Sequence, residues 1–200
     1  MTDRLDDGGV GEITGSWDHA ALPANVRLGR DVWIERKASF ARFRSECRPG
    51  CVLGDRARVY GWTMFNVEPA GAVEVGDDAV LVGATFLCAG RIRIGHRVVI
   101  SYGVTIADCD FHPRDPLRRR FDAEAIAPSG DRSRRAGLDA RPVAIEDDVW
   151  IGIGAIVLKG VRIGRRAHIG AGAVVTADVP PGAVVRGNPG RVVDAADDGG

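Results

Sequence analysis

A six-residue period runs through this chain of 200 residues and decides what it can fold into. In the C-terminal half Ile145, Ile151, Val157, Ile163, Ile169 and Val175 follow one another at steps of six, and Ala155, Val161, Ala167, Ala173 and Val179 stand four residues after the aliphatic position. Gly152, Gly164 and Gly170 come directly behind it. A middle block repeats the pattern as Val75, Leu81 and Leu87, then, after one extra residue, Ile94, Ile100 and Ile106. Its matching small positions are Gly76, Gly95, Ala79, Thr85, Val98 and Val104, and weaker copies run Leu28, Ile34, Phe40 and Leu53, Val59, Phe65. An α-helix would spread positions six apart by about 240° around its axis, and an amphipathic strand repeats every two residues. A solenoid satisfies the period, because one short strand and one turn per hexad point every aliphatic residue inward and stack them into a column. Each buried aliphatic contributes roughly 1.5–3 kcal/mol relative to exposure. Gly, 27 of the 200 residues and spread rather than clustered, supplies corners that need positive φ. A Gly-rich β-sandwich would have to keep this long run of hexads in phase by chance.

The repeat bounds one domain over 25–193, preceded by a polar, loose lead-in over 1–24, where Trp17 is the only hint of docking, and followed by a disordered tail over 194–200. With 27 basic and 27 acidic side chains, the charge gives no long-range pull toward nucleic acid or a membrane. The start lacks the basic and apolar regions of a secretory signal, and no stretch reaches the ~18 apolar residues of a membrane span, so a cytoplasmic protein is expected. Cys47, Cys51, Cys88 and Cys109 lack the paired spacing of a zinc site and read as thiols. No metal is expected.

The hexads break between Ile106 and Ile145, and a long loop insertion at 108–142 carries prolines and charges there. A loop of this length in a compact domain is usually functional or disordered. It opens Asp108-Cys109-Asp110-Phe111-His112-Pro113, setting a histidine just after the last strand of the middle block. Arg118, Arg119, Arg120, Arg132, Arg134 and Arg135 make it basic. They read as a solvated surface paired with Asp115, Asp122 and Glu124, the other reading being a lid for an acidic acceptor. Cys109, three residues from His112, falls at an inward or turn-facing place where a buried thiol is inert. His96 and His168 occupy variable turn positions and His19 the lead-in, so these read as solvated.

The His-Pro pair, Asp147-Asp148-Val149-Trp150-Ile151-Gly152, Gly160-Val161-Arg162-Ile163-Gly164, Ile169-Gly170-Ala171-Gly172, Val174-Val175-Thr176, Asp178-Val179-Pro180-Pro181 and Gly187-Asn188-Pro189-Gly190-Arg191-Val192 together resemble the hexapeptide-repeat acyltransferases, in particular their galactoside and maltose acetyltransferase branch. The resemblance covers about residues 75–193 and is strongest from 142 onward. It implies an all-β, left-handed parallel β-helix with a long loop projecting from the middle coils, assembled as a homotrimer whose sites lie between subunits. It implies acetyl-CoA as acyl donor and a hydroxyl of a sugar or glycoconjugate as small-molecule acceptor. His112 is then the general base of a direct transfer, with Asp110 or Asp108 to orient it. The backbone N–H of Ile153 is then the donor to the thioester oxygen, where family members often carry a small polar residue. Ala171, Thr176, Ala177 and Arg191 fall on cofactor-lining positions, and Trp150 either packs on the cofactor or fills a subunit contact. Family members often carry Lys where Ala177 stands, a lost charge that Arg165, Arg166, Arg186 or Arg191 could replace. Two other functions share this helix. A non-catalytic scaffold would lack the His-Pro loop and the cofactor-side pattern, and a γ-class carbonic anhydrase needs three zinc-binding histidines, whereas only His96 and His112 are near one another in sequence.

Overall fold

A computed structural model describes residues 22–193. Nearly all of the expected lead-in, with Trp17 and His19, and all of the expected tail lie outside these residues. The described chain is a left-handed parallel β-helix of three sheets. The first sheet stacks β1 (Val26–Leu28), β3 (Cys51–Leu53), β6 (Ala72–Val75), β9 (Arg91–Ile94), β12 (Val143–Ile145) and β15 (Arg162–Ile163). The second stacks β2 (Trp33–Ile34), β4 (Arg58–Tyr60), β7 (Val80–Val82), β10 (Val99–Ile100), β13 (Trp150–Ile151), β16 (His168–Ile169) and β18 (Val184–Arg186). A last antiparallel strand, β19 (Arg191–Val193), closes its edge. The third holds β5 (Met64–Val67), β8 (Thr85–Cys88), β11 (Thr105–Ala107), β14 (Ile156–Val157) and β17 (Val174–Val175).

The register delivers the columns that the period requires. Leu81, Ile100, Ile151, Ile169 and Val185 lie directly over one another, as do Leu53, Val75, Ile94, Ile145 and Ile163, and all are buried. In the third sheet the column is Phe65, Phe86, Ile106, Val157 and Val175. Here the spacing misplaces one coil. Phe86, not Leu87, points inward, and Ala84, not Thr85, is the buried small residue. The turn from β7 to β8 is one residue shorter than its neighbour from β10 to β11. Gly83 makes that possible at φ +61°, and the Tyr102 ring occupies the space where a Cβ would sit, 2.8 Å away. Phe40 is also not in a strand. It ends a short 3-10 helix (Lys37–Phe40) and stacks on Phe65, which stacks on Phe86.

The corner between the first and second sheets repeats a local device. Asp31, Arg56, Asp78, Arg97, Asp148 and Arg166 all adopt positive φ there. The side chain just before several of them accepts from the backbone of the previous coil: Asp77 from Asp55 N–H (2.8 Å), His96 Nδ1 from Asp77 N–H (2.9 Å) and Asp147 from His96 N–H (3.0 Å). His96 therefore substitutes for an aspartate in a capping ladder.

The insertion is folded rather than loose. Asp115 accepts from Arg118 N–H (2.8 Å) and Pro116 opens α1 (Pro116–Ile126), a side-chain cap and an N-terminal proline as helix starts favour. Arg141 N–H donates to Asp108 O (2.7 Å) and Cys109 bridges Ala140, closing the neck where the chain leaves and re-enters the helix.

Candidate active site

His112 lies in the loop between β11 and α1, at the corner between the third and first sheets, over a cleft of about 250 Å³ lined by Asp110, Phe111, Arg114, Arg118, Leu138 and Asp139. Its Nδ1 is 2.8 Å from Asp122 Oδ2. Asp122 and Ala125, three apart on one face of α1, are the buried residues of that helix, and Asp122 is wholly buried. A carboxylate accepts, so in the neutral imidazole Nδ1 carries the proton and Nε2 the lone pair; the side chain is 43% exposed. Asp122, placed by sequence among counter-charges of a solvated surface, is thus the imidazole's partner.

The two acids expected in that role do other work. Asp108 is fully buried and accepts from Ala89 N–H (2.7 Å) and Gly90 N–H (2.8 Å), and the Cys88 thiol lies 3.4 Å away. It ties its coil to the one below. Asp110 accepts from Lys159 Nζ (2.9 Å) and Arg114 Nε (3.3 Å). Neither position lets the carboxylate serve Nδ1 as Asp122 does. Cys109 is buried, and burial foremost pushes its thiol up to about 11, which removes it as a nucleophile near neutrality.

Lys159, the equivalent corner residue one coil on, is almost fully buried and bonds both Asp110 and Asp139 (2.8 Å), the two ends of the insertion. Its hydrogen bonds hold both carboxyls below the usual range, and Asp139 and Asp110 raise the ammonium. The depressed carboxyls stabilise above the unfolded value near ~3.9 and cease to as pH falls through their folded values. The raised ammonium stabilises below ~10.4 and ceases to as pH rises through its folded value. The clasp is therefore complete from about pH 4 to about pH 10. Hydrogen exchange at 109–111 and 138–140, corrected for its intrinsic pH dependence, should be steady in that window and rise on acidification. Lys159→Met should speed exchange at both ends and remove the acid step.

The residues expected to hold a cofactor sit elsewhere. Ile153 and Ala171 are exposed on successive turns at the corner between the second and third sheets, with Gly172 N–H donating to Ile153 O (2.8 Å). The Ile153 N–H has no acceptor among the described residues and so is open to an incoming carbonyl. Trp150, half exposed on the outer face of β13, stacks on His168 at 4.2 Å and 3°. Thr176 and Ala177 follow β17 at the same corner as His112, two coils on, and Arg191 opens β19, all three exposed. Within one chain, His112 and Ile153 stand at opposite edges of the third sheet. Among the described residues no three His, Cys, Asp or Glu side chains gather so as to hold a metal ion, and no helix is long and apolar enough to cross a membrane.

The fold and repeat define a class. Residues 142–177 match the bacterial transferase hexapeptide (six repeats). These residues carry the hexapeptide repeat, and the described chain has the fold of a left-handed parallel β-helix. It is 60% identical over 57 residues to a 2,3,4,5-tetrahydropyridine-2,6-dicarboxylate N-acetyltransferase from Staphylococcus aureus (strain Newman), 28% of this chain and 24% of that protein. The match thus spans about a quarter of the relative's length. A hexapeptide-repeat-containing acetyltransferase from Vibrio cholerae O1 biovar eltor, complexed with acetyl coenzyme A, superposes with a TM-score of 0.58 at 28% identity, covering 80% of this chain and 75% of that one. AntD, an N-acyltransferase from Bacillus cereus in complex with dTDP and 3-hydroxybutyryl-CoA, shares the fold with a TM-score of 0.57 at 16% identity over 84% and 82% of the two chains.

Proposed function

We propose that this protein takes an acetyl group from acetyl-CoA and delivers it to a hydroxyl of a sugar-like acceptor, with His112 as general base. The observation that carries the reading is the His112–Asp122 pair beside a cleft, a contact that in the neutral imidazole puts the proton on Nδ1 and the lone pair on Nε2. An alcohol is a weak nucleophile at neutral pH. Nε2 takes its proton as the oxygen closes on the thioester carbon, while the Ile153 N–H stabilises the charge that grows on the carbonyl oxygen. The carbon–sulfur bond then breaks, and the proton on Nε2 passes to the departing sulfur. No covalent enzyme intermediate is needed.

Base and oxyanion donor lie at opposite edges of one sheet, so they meet only if one copy supplies His112 and another Ile153. On this reading the sites lie between subunits, as in the homotrimer that the resemblance implies. Thr176, Ala177, Ala171 and Arg191 would line the donor. An intracellular acyl donor fits a cytoplasmic enzyme. The sugar acceptor rests on the resemblance of residues 142–193 to the galactoside and maltose branch, whereas the Staphylococcus relative is an N-acetyltransferase and favours an amine as the second reading.

The deciding assay follows thiol release from acetyl-CoA across paired acceptors that differ only in carrying a hydroxyl or an amine at one carbon. Faster turnover of the hydroxyl member supports the proposal, and preference for the amine replaces the acceptor while keeping the base. If no acceptor releases thiol and acetyl-CoA does not bind, the protein is a scaffold.

A further inference from the structure

We propose that Arg135, backed by Glu68, is a positioning residue for this transfer: it fixes Asp122 as the acceptor of the Nδ1 proton and thereby keeps Nε2 of His112 free to act as the base. The inference rests on His112 having that role.

A fully buried carboxylate needs a permanent counter-charge, and an imidazole working as a base is neutral and offers a single hydrogen bond. Arg135 supplies the charge. Its Nε donates to Asp122 Oδ1 (2.9 Å), the oxygen His112 does not use, so each carboxylate oxygen has one donor. The guanidinium is itself only 7% exposed. Burial works against its charge, but Asp122 and Glu68 outweigh it and hold its pKa above the ordinary value. Glu68 Oε1 lies 2.8 Å from Nη1, Nη2 donates to Phe111 O (2.6 Å), and the Phe111 ring lies beneath the guanidinium at 4.6 Å. Arg132 Nη2 donates to the same Glu68 oxygen at 3.1 Å.

Sequence order hides how this is built. Glu68 follows β5, in the third sheet two coils from β11, and belongs to the rigid body of the helix. The line Glu68, Arg135, Asp122 alternates in charge and connects that body to the neutral imidazole of His112. It crosses the end of the short helix at Arg132–Arg134, then α1, then the loop after β11. A rigid fork that reaches two carboxylates and a carbonyl at once is a guanidinium's geometry and not an ammonium's. Without Arg135, Asp122 would be left as an uncompensated buried charge, relieved by taking up a proton or by α1 lifting away. A protonated carboxyl can donate to Nδ1, and a lifted α1 leaves Nδ1 without its partner; in either case Nε2 is no longer held as the free nitrogen.

A tie between insertion and body and a support for Asp122 differ in one measurable respect. If Arg135 acts through Asp122, removing both side chains costs no more than removing Asp122 alone; if it only secures the insertion, the losses multiply. The experiment measures kcat for Arg135→Met, Asp122→Asn and the double variant, together with the CoA dissociation constant and the unfolding midpoint of each. Each single variant should lose about 10²-fold in kcat while binding CoA within about twofold of the parent, and the double should match the worse single. A double variant whose loss is the product of the two, or an Arg135→Met enzyme with full kcat, overturns the inference. Should Arg135→Met fail to fold, Glu68→Gln keeps the shape and should lose about tenfold, again with no further loss in the Asp122→Asn background. A fully active His112→Ala enzyme would remove the base and the reading beneath this one. An inactive His112→Ala with multiplying losses at Arg135 and Asp122 would remove only this one.

Discussion

His112→Ala should lower kcat by about 10²–10⁴-fold, the range that a positioned general base contributes. It should lower kcat/KM by the same factor, because the imidazole helps only when the acceptor proton is moving. CoA affinity should stay unchanged, since every residue proposed to line the donor stands on other turns. The imidazole is 43% exposed and its polar partner among the described residues is Asp122, which keeps its bond from Arg135, so the unfolding midpoint should move little. Single-turnover transfer, isothermal titration with CoA and thermal unfolding of one preparation test all three. Full activity in that variant would end the base assignment, and loss of CoA binding would mean that His112 shapes the donor site instead. Asp122→Asn provides the contrast. An amide that donates toward Nδ1 favours the tautomer with the proton on Nε2, so this variant keeps the imidazole yet loses the free nitrogen.

The solenoid was legible because a period of six leaves few alternatives once long enough, and each predicted column in the first two sheets appears in register. His112 stood out as a candidate for a related reason: it stands where the repeat breaks, and a break in so regular a pattern draws the eye to the loop that follows. Asp122 was not, although its signals are present. Asp115-Pro116 is a helix start, and Asp122 with Ala125 then falls on one helical face, but reading the segment as a charged loop concealed that face. Asp108 and Asp110 looked better placed because they are nearer in sequence. What removes them is three-dimensional: the backbone N–H groups of Ala89 and Gly90 in the coil below claim one, and Lys159 in the coil above claims the other. Glu68 could not be connected to His112 by any local rule, since the contact depends on which corners stack.

The same limit appears in the core, where the period placed Leu87 inward and the chain places Phe86 there. Phe86→Ala should cost about 3–5 kcal/mol, the usual range for removing a fully buried aromatic ring. Its ring stacks on Phe65 at 5.0 Å, which stacks on Phe40 at 4.9 Å, and Ile106 lies on its other side, so the hole opens inside a continuous column with no solvent to fill it. Leu87→Ala should cost under about 1 kcal/mol, because that side chain is only half-buried and points away from the column. Denaturant unfolding of the two variants gives the comparison directly, and the opposite order would restore the register read from the spacing. Activity gives a second readout. β11 ends at Ala107 and the chain reaches His112 five residues later, so slack beneath Ile106 loosens the support of His112. Phe86→Ala should therefore lose kcat at temperatures well below its own unfolding midpoint, whereas Leu87→Ala should keep the parent rate.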